Sequence, residues 1–231
     1  MANALQLVLS NPTPGMETEF NHWYGGDHLI HGVETPGILS GQRFRRTEGP
    51  WPSGVHDYMM IWELDDPAFS LAELAKIKGT DTMPISPAIN MDTVQPPTMW
   101  RRAEVRSSAR IATDSRSRQT VIFGLYNAAD GADDTFAQSL LTGGLMALAD
   151  LPGVISADYL TLADEQIRGN CRKYPHGILI ELHDEGAGLA ALGDKLAALP
   201  HADPARWMAI VFRPLGAKTT KADVERPTDQ A

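Results

Sequence analysis

A chain of 231 residues with 43% hydrophobic residues is long enough for one large domain or two small ones, each with a packed core. The formal net charge of −9 argues against nonspecific nucleic-acid binding, because that binding depends on lysines and arginines that neutralise phosphates. The single cysteine, Cys171, excludes an intrachain disulfide, and the lack of a long apolar stretch or a signal-like N-terminus predicts a cytoplasmic protein without membrane contact.

The first half of the chain predicts the element order β-α-β-β-α-β. Apolar or alternating runs predict strands at 4–10, 38–46, 57–64 and 98–105, and helical spacing predicts helices within 15–37 and at 67–78. This order is typical of a ferredoxin-like unit, in which two helices cover one face of a four-stranded antiparallel sheet. Residues 79–97 are rich in Pro, Thr, Asp and Met, and they predict a long loop that serves as a lid or as a dimer contact.

The segment 15–37 holds the densest group of chemically active side chains. On a continuous helix, one sector would collect Glu17, Phe20, Asn21, Tyr24, His28 and His31. Aromatic rings and imidazoles on one face favour a helix that faces a cavity. The pair Gly25-Gly26 weakens this helix in its middle, and Pro36-Gly37 ends it.

The second half repeats the element order of the first. One constant offset pairs Asn11 with Asn127, Phe20 with Phe136 and Pro36-Gly37 with Pro152-Gly153, which indicates a duplicated unit. The second copy predicts strands at 120–127, 154–162, 177–183 and 207–213, and helices at 133–149 and 188–199. We therefore divide the chain into a first unit (1–106), a Ser/Arg-rich linker (107–117), a second, degenerate unit (118–217) and a polar tail (218–231).

The repeat indicates where chemistry is expected. At the same offset, Tyr24, His28 and His31 correspond to Leu140, Gly144 and Ala147, so the second unit keeps the fold signals and loses the polar candidates. We expect the functional site in the first unit.

The run Phe20-Asn21-His22-Trp23-Tyr24, followed by Asp27-His28, Pro36-Gly37 and Arg43-Phe44, resembles the dimeric α/β-barrel superfamily, most closely its EthD-like branch. Members of that branch often carry F-N-x-W-Y-x-x-x-H at this point, whereas His31 departs from the usual pattern. The resemblance implies an α+β fold in which two tandem ferredoxin-like units pack their antiparallel sheets as a barrel, with further pairing of chains into a homodimer. It also implies a cavity for an aromatic or lactone-like substrate, because the superfamily includes polyketide cyclases, muconolactone isomerase, cofactor-free monooxygenases and haem enzymes.

The leading hypothesis is a cofactor-independent lyase, isomerase or cyclase that acts on a small aromatic or polyketide-like molecule. His28 would be the general acid or base, because the ordinary pKa of imidazole lies near neutrality. Tyr24 or Asn21 would bind the developing oxyanion, and His31 or Asp27 would orient or relay the proton. The expected substrate-binding residues are Phe20, Trp23, Arg43, Met60, Trp62 and Trp100, with Arg43 as a candidate for a carboxylate.

Other classes of function stay open. A noncatalytic carrier would use the same cavity for a hydrophobic ligand. Asp27, His28 and His31 could bind a metal, but a third firm ligand is not evident, so we predict no metal. In related haem enzymes the axial histidine usually lies in the second unit, and helix 133–149 has no histidine, so we predict no cofactor.

Overall fold

The computed structural model describes residues 4–52, 54–107, 117–166 and 173–225, and most elements lie where the sequence places them. Cys171 and the central part of the predicted linker lie outside the described residues. The first half contains β1 (Ala4–Ser10), α1 (Glu17–Gly25), α2 (Asp27–Glu34), β2 (Ile38–Thr47), β3 (Tyr58–Leu64), α3 (Pro67–Ile77) and β4 (Thr98–Arg106). The second half contains β5 (Thr120–Ala128), α4 (Asp133–Ser139), α5 (Leu145–Ala149), β6 (Val154–Leu162), β7 (His176–Leu182), α6 (Glu185–Leu192) and β8 (Ala202–Pro214), followed by β9 (Thr219–Thr220) and α7 (Lys221–Val224).

The strands form one antiparallel sheet in the order β3-β1-β4-β6-β7-β5-β8-β2-β9. Because β2 also pairs with β3, the strands from β3 to β2 close into a barrel, and β9 is added beside β2. The two halves of the chain are joined by the pairings of β4 with β6 and of β2 with β8. The predicted α+β barrel is therefore built by a single chain. Closure leaves few unpaired strand edges for association with other chains.

The barrel separates three apolar clusters. Alternate residues such as Leu7, Phe123 and Phe212 fill its interior, because successive side chains of a strand point to opposite faces. On the outside, the helices of the first half cover one cluster and those of the second half cover another. Tyr24 and Trp62 belong to the outer cluster of the first half, so the predicted site lies between helices and sheet, outside the barrel interior.

A buried ionic cluster centred on Arg118 follows the apolar interior at one end of the barrel. Its guanidinium lies 3.5 Å from Asp158, 3.8 Å from Glu63 and 3.7 Å from Glu181. Burial alone would lower the pKa of Arg118, but these three carboxylates raise it, so the residue stays charged. Lys218 also lies 2.9 Å from Glu63. Strand alternation directs these carboxylates into this end of the barrel, and the positive charges of Arg118 and Lys218 neutralise them.

Two helices that the sequence predicts as continuous are interrupted in the structure. We expected one helix within 15–37, whereas the chain breaks at Gly26, whose φ of −101° and ψ of −114° are not helical. The glycine pair therefore separates α1 from α2 and does not merely weaken one helix. The predicted helix 133–149 is likewise interrupted between α4 and α5, by a kink at Gly143, whose φ of 153° is not helical.

Part of the predicted polar tail, residues 218–231, packs against the first half of the chain. Thr219 and Thr220 pair with Gly41 and Ser40 of β2, and Val224 packs against the outer cluster of the first half. Residues 226–231 lie outside the described part of the chain. Within the described ranges, no helix is long and apolar enough to cross a membrane. The division into two units of common origin stays a proposal from the sequence.

Candidate active site

Helix α2 packs directly on Trp62, and this contact places the rest of the site. A Cβ atom added to Gly32 of α2 would lie 2.2 Å from Cη2 of Trp62, and one added to Gly41 of β2 would lie 2.6 Å from its Cζ3. Both distances are shorter than any side chain tolerates, so glycine is needed on both sides of the indole. The helix therefore approaches the sheet closely at this point and holds His28 near Trp62.

His28 lies in an aromatic environment. Its ring centroid is 4.3 Å from that of Trp23, 4.8 Å from that of Tyr24 and 6.4 Å from that of Trp62. The ring is half-buried, and its Nδ1 atom is inaccessible to water without a hydrogen-bond partner among the described residues. An unpaired buried polar atom costs free energy, so its persistence beside a cavity indicates a position that a ligand would complete.

Burial keeps the side chains of His28 and Tyr24 uncharged at neutral pH. Burial lowers the pKa of His28 to about 3, and electrostatic interactions with Lys78, Arg43 and His31 lower it further. Burial raises the pKa of Tyr24 well above its ordinary value, and Arg43 offsets part of that shift. His28 is therefore a neutral imidazole, which can accept a proton or donate a hydrogen bond.

A cavity of about 40 Å³ opens beside these rings. A cavity that binds benzene measures about 150 Å³, so an aromatic ligand requires side chains to move here. Residues 79–97 cover this cavity and contribute Met83, Ile85, Ile89, Met91, Val94 and Pro96 to its lining. Trp23 Nε1 donates to Pro84 O at 3.2 Å and ties α1 to this covering segment. The sequence left two roles open for residues 79–97, a lid or a dimer contact, and this position over the cavity is the one expected of a lid.

Two polar lining residues were absent from the sequence prediction. Gln6 of β1 and Lys78, which follows α3, both face the cavity. The signal for Gln6 was present, because one amide interrupts the apolar strand Ala-Leu-Gln-Leu-Val-Leu. No local signal identifies Lys78, because only the packing of α3 against the sheet brings it there.

Arg43, Asn21 and Phe20 form a separate group that holds α1 against the sheet. The Arg43 guanidinium donates to Asn21 O at 3.1 Å and to Asn21 Oδ1 at 2.8 Å. It also lies 5.0 Å from the Tyr24 ring centroid and 5.6 Å from that of Phe20. In this arrangement, Arg43 and Asn21 satisfy each other, and Arg43 contributes charge near His28 rather than a direct contact with a carboxylate.

The remaining predicted residues lie at the margin of the site. His31 pairs with Glu34 at 3.1 Å, and Asp27 is exposed at the start of α2. Met60 is buried in the outer cluster of the first half, and Trp100 is half-buried against it. The structure thus brings together Trp23, Tyr24, His28 and Trp62 from the predicted set. The predicted sector does not form one continuous face, because the break at Gly26 reorients α2, which carries His28 and His31, relative to α1.

The second half contains a hydrogen-bonded chain that the sequence did not predict. His176 Nδ1 lies 2.9 Å from Tyr159 OH, and His176 Nε2 lies 3.0 Å from Asp133 Oδ1. The first half has an equivalent contact, because Tyr58 donates to Glu17 at the start of α1. In each half, a ring at the start of a strand is thus joined to a carboxylate at the start of a helix. We therefore assign the His176 contacts to holding α4 on the sheet.

Within the described ranges, no group of three or more His, Cys, Asp or Glu side chains is arranged to hold a metal ion. His176, the buried histidine of the second half, has both ring nitrogens within hydrogen-bond distance of protein groups. These contacts leave neither nitrogen available as an axial ligand, so His176 does not fit the haem alternative.

No protein-family model and no curated protein sequence matches this chain. Solved structures do match it. An anthrone oxidase-like protein has a TM-score of 0.63 at 10% identity, with 94% of this chain and 92% of that chain covered. A protein of Fusobacterium nucleatum named as a monooxygenase has a TM-score of 0.62 at 10% identity, with 95% of both chains covered. A protein named as a chlorite dismutase has a TM-score of 0.54 at 10% identity, with 94% of this chain and 96% of that chain covered. At such identity the likeness shows a shared fold.

Proposed function

We propose that this chain, which has the fold of the dimeric α/β-barrel superfamily, is an enzyme that transfers a proton on a small aromatic or polyketide-like molecule bound beside His28. The observation that supports this most directly is the buried Nδ1 of His28 at the aromatic cavity, which has no hydrogen-bond partner in the described part of the chain. The EthD-like branch stays a prediction from the sequence.

The lining favours a flat, largely apolar substrate. Trp23, Tyr24 and Trp62 present rings, and two methionines of the covering segment present flexible side chains that adapt to a ligand. Lys78 adds a positive charge to the lining, and Arg43 lies behind Tyr24. Positive charge in a poorly solvated site stabilises an anion, so we expect the substrate to react as its enolate or phenolate.

The proton step follows from the neutral state of His28. A neutral imidazole accepts the proton from a carbon or hydroxyl group of the substrate, and the resulting imidazolium lies beside the new anion. The anion offsets the unfavourable burial of the imidazolium, while Lys78 and the Tyr24 hydroxyl stabilise the anionic oxygen. Proton transfer of this kind contributes about 10²- to 10⁴-fold to a rate.

The fate of the anion distinguishes two reaction classes. The anthrone oxidase-like and monooxygenase-named structures favour oxidation by molecular oxygen, in which a ring methylene becomes a carbonyl, one oxygen atom enters the product and the other leaves as water. The second candidate is the lyase, isomerase or cyclase class predicted from the sequence. It needs no oxidant, since return of the proton from His28 to another atom completes an isomerisation.

The test uses anthrone, whose methylene group is acidic, with an oxygen electrode and a spectrophotometer in buffer without added cofactor. We expect oxygen uptake and quinone formation above the buffer rate, and a loss of at least about 10²-fold in His28→Ala. His22→Ala is the matched control, because His22 is an exposed histidine of α1 that does not line the cavity. Equal rates in wild type and His28→Ala would contradict the proposal.

Two further outcomes separate the alternatives. Turnover of an enolisable ketone under nitrogen, with solvent deuterium incorporated, would assign the lyase or isomerase class. Binding of anthrone without any chemical change would assign a noncatalytic carrier. The predicted homodimer is tested by light scattering on the same samples.

A further inference from the structure

Gln6 lies in a row of side chains that runs across the sheet beneath the cavity. Its direct neighbour on β3 is Trp62, and its direct neighbour on β4 is Thr98. Residues directly opposite on antiparallel strands have Cβ atoms about 4.5–5.5 Å apart, so the three side chains share one face. Gln6 is 1% exposed and lines the same cavity as His28.

The amide of Gln6 has an unused donor. Its Nε2 atom is buried and has no hydrogen-bond partner among the described residues, and the same is true of Thr98 Oγ1 beside it. Gln42, another buried glutamine, shows the usual arrangement. Its Nε2 donates to Arg118 O at 2.9 Å and to Gly216 O at 3.2 Å, and its Oε1 accepts from Arg118 N at 2.8 Å.

A buried amide without a partner is unfavourable, and leucine would fill such a strand position without that cost. The chain places an amide there, although the neighbouring positions of β1 are apolar. A partner for the unpaired amide nitrogen is a hydrogen-bond acceptor. The cavity supplies the space in which a ligand would present that acceptor.

We infer that Gln6 determines substrate specificity by donating a hydrogen bond to a carbonyl or phenolic oxygen of the molecule bound beside His28. This inference rests on the proposed function for the location of the substrate, and it adds the requirement for oxygen. A molecule with the same ring skeleton but no oxygen leaves the Gln6 amide unpaired and binds more weakly. Lys78 strengthens the selection, because its charge favours an oxygen that carries negative charge.

The test compares two probes of similar size, 1-naphthol and naphthalene, by quenching of the fluorescence of the cavity tryptophans. In the wild type we expect 1-naphthol to bind about tenfold more tightly, the ratio that about one net hydrogen bond supplies. In Gln6→Leu the ratio falls to about one, while the affinity for naphthalene changes by less than about twofold. Gln42→Leu is the matched control and keeps the ratio of the wild type.

Thermal unfolding without ligand gives an independent readout. Gln6→Leu removes an unpaired amide, so its melting temperature is expected to equal or exceed that of the wild type. Gln42→Leu leaves groups of Arg118 and Gly216 without partners, so its melting temperature falls. If Gln6→Leu does not fold, Gln6→Met provides the same loss of the amide with a flexible side chain.

Each outcome is decisive. A Gln6→Leu protein that keeps the preference for 1-naphthol overturns the inference, and so does a wild type that binds both probes equally. A wild type that binds neither probe overturns both the inference and the proposed cavity. Loss of the preference in Gln6→Leu, together with full turnover in His28→Ala, supports the inference and refutes the proposed role of His28.

Discussion

Acidification gives the sharpest test of the environment described for His28. In the unfolded chain a histidine has a pKa near 6.5, whereas burial lowers the pKa of His28 in the folded protein to about 3. Between these values the unfolded state binds the proton and the folded state does not. The stabilisation linked to neutral His28 is therefore complete above about pH 6.5 and is lost as the pH falls toward 3.

The magnitude follows from linkage. One proton taken up on unfolding changes the free energy of unfolding by about 1.4 kcal/mol per pH unit, and integration from neutral pH to pH 5 gives a loss of about 2 kcal/mol from His28. We would measure urea unfolding of the wild type and of His28→Asn at pH 7, 6 and 5. The variant lacks the titrating ring, so its loss of stability over this range should be smaller by about that amount.

The difference between the two proteins isolates His28. Burial also lowers the pKa of His56, but both proteins contain His56, so its contribution cancels. A second measurement follows the His28 ring by NMR and should show a neutral imidazole at pH 5. Equal losses of stability in both proteins, or a ring that titrates near pH 6.5, would refute the assignment of His28 to a poorly solvated site.

Two further predictions concern the contacts that hold α2. Gly32→Ala places a Cβ atom 2.2 Å from Trp62 and should lower the free energy of unfolding by about 1–3 kcal/mol in urea titrations, whereas Gly216→Ala, with open space around it, should have little effect. Truncation after Ala217 removes Lys218 from the half-buried Glu63 and β9 from β2, and it should cost about 3 kcal/mol by the same assay. Unchanged stability of the truncated chain would show that these contacts are not part of the folded core.

The two halves of the barrel differ at corresponding positions, and the difference explains why the cavity beside an imidazole lies in the first half. Glu17, Phe20 and Tyr58 correspond in position and contacts to Asp133, Phe136 and His176. These groups hold a helix on the sheet in both halves. The cavity group is different, since the positions of Tyr24 and His28 are taken by Leu140 and Gly144 in the second half. The second half therefore supplies barrel strands and packing without an equivalent imidazole.

The sequence by itself determined the elements and their order. Alternating or continuous apolar runs located every long strand within one residue, except that β8 begins at Ala202 and not at the predicted residue 207. Pro36-Gly37 ended the helical segment where α2 stops. These features depend on local backbone preferences and on burial of one face, so they are present in short stretches of sequence. The same reasoning named His28, Tyr24, Trp23 and Trp62, whose rings the structure brings together beside one cavity.

Only the tertiary structure decided which side chains meet and how they are charged. Gln6, Lys78 and residues 79–97 reach His28 because β1, α3 and the covering segment pack around α2, and no short-range pattern records that contact. The break at Gly26 separated His28 from Asn21, which a continuous helix would have placed on the same face. The low pKa of His28 likewise comes from loss of water and from charges distant in sequence, quantities that exist only once the chain is packed.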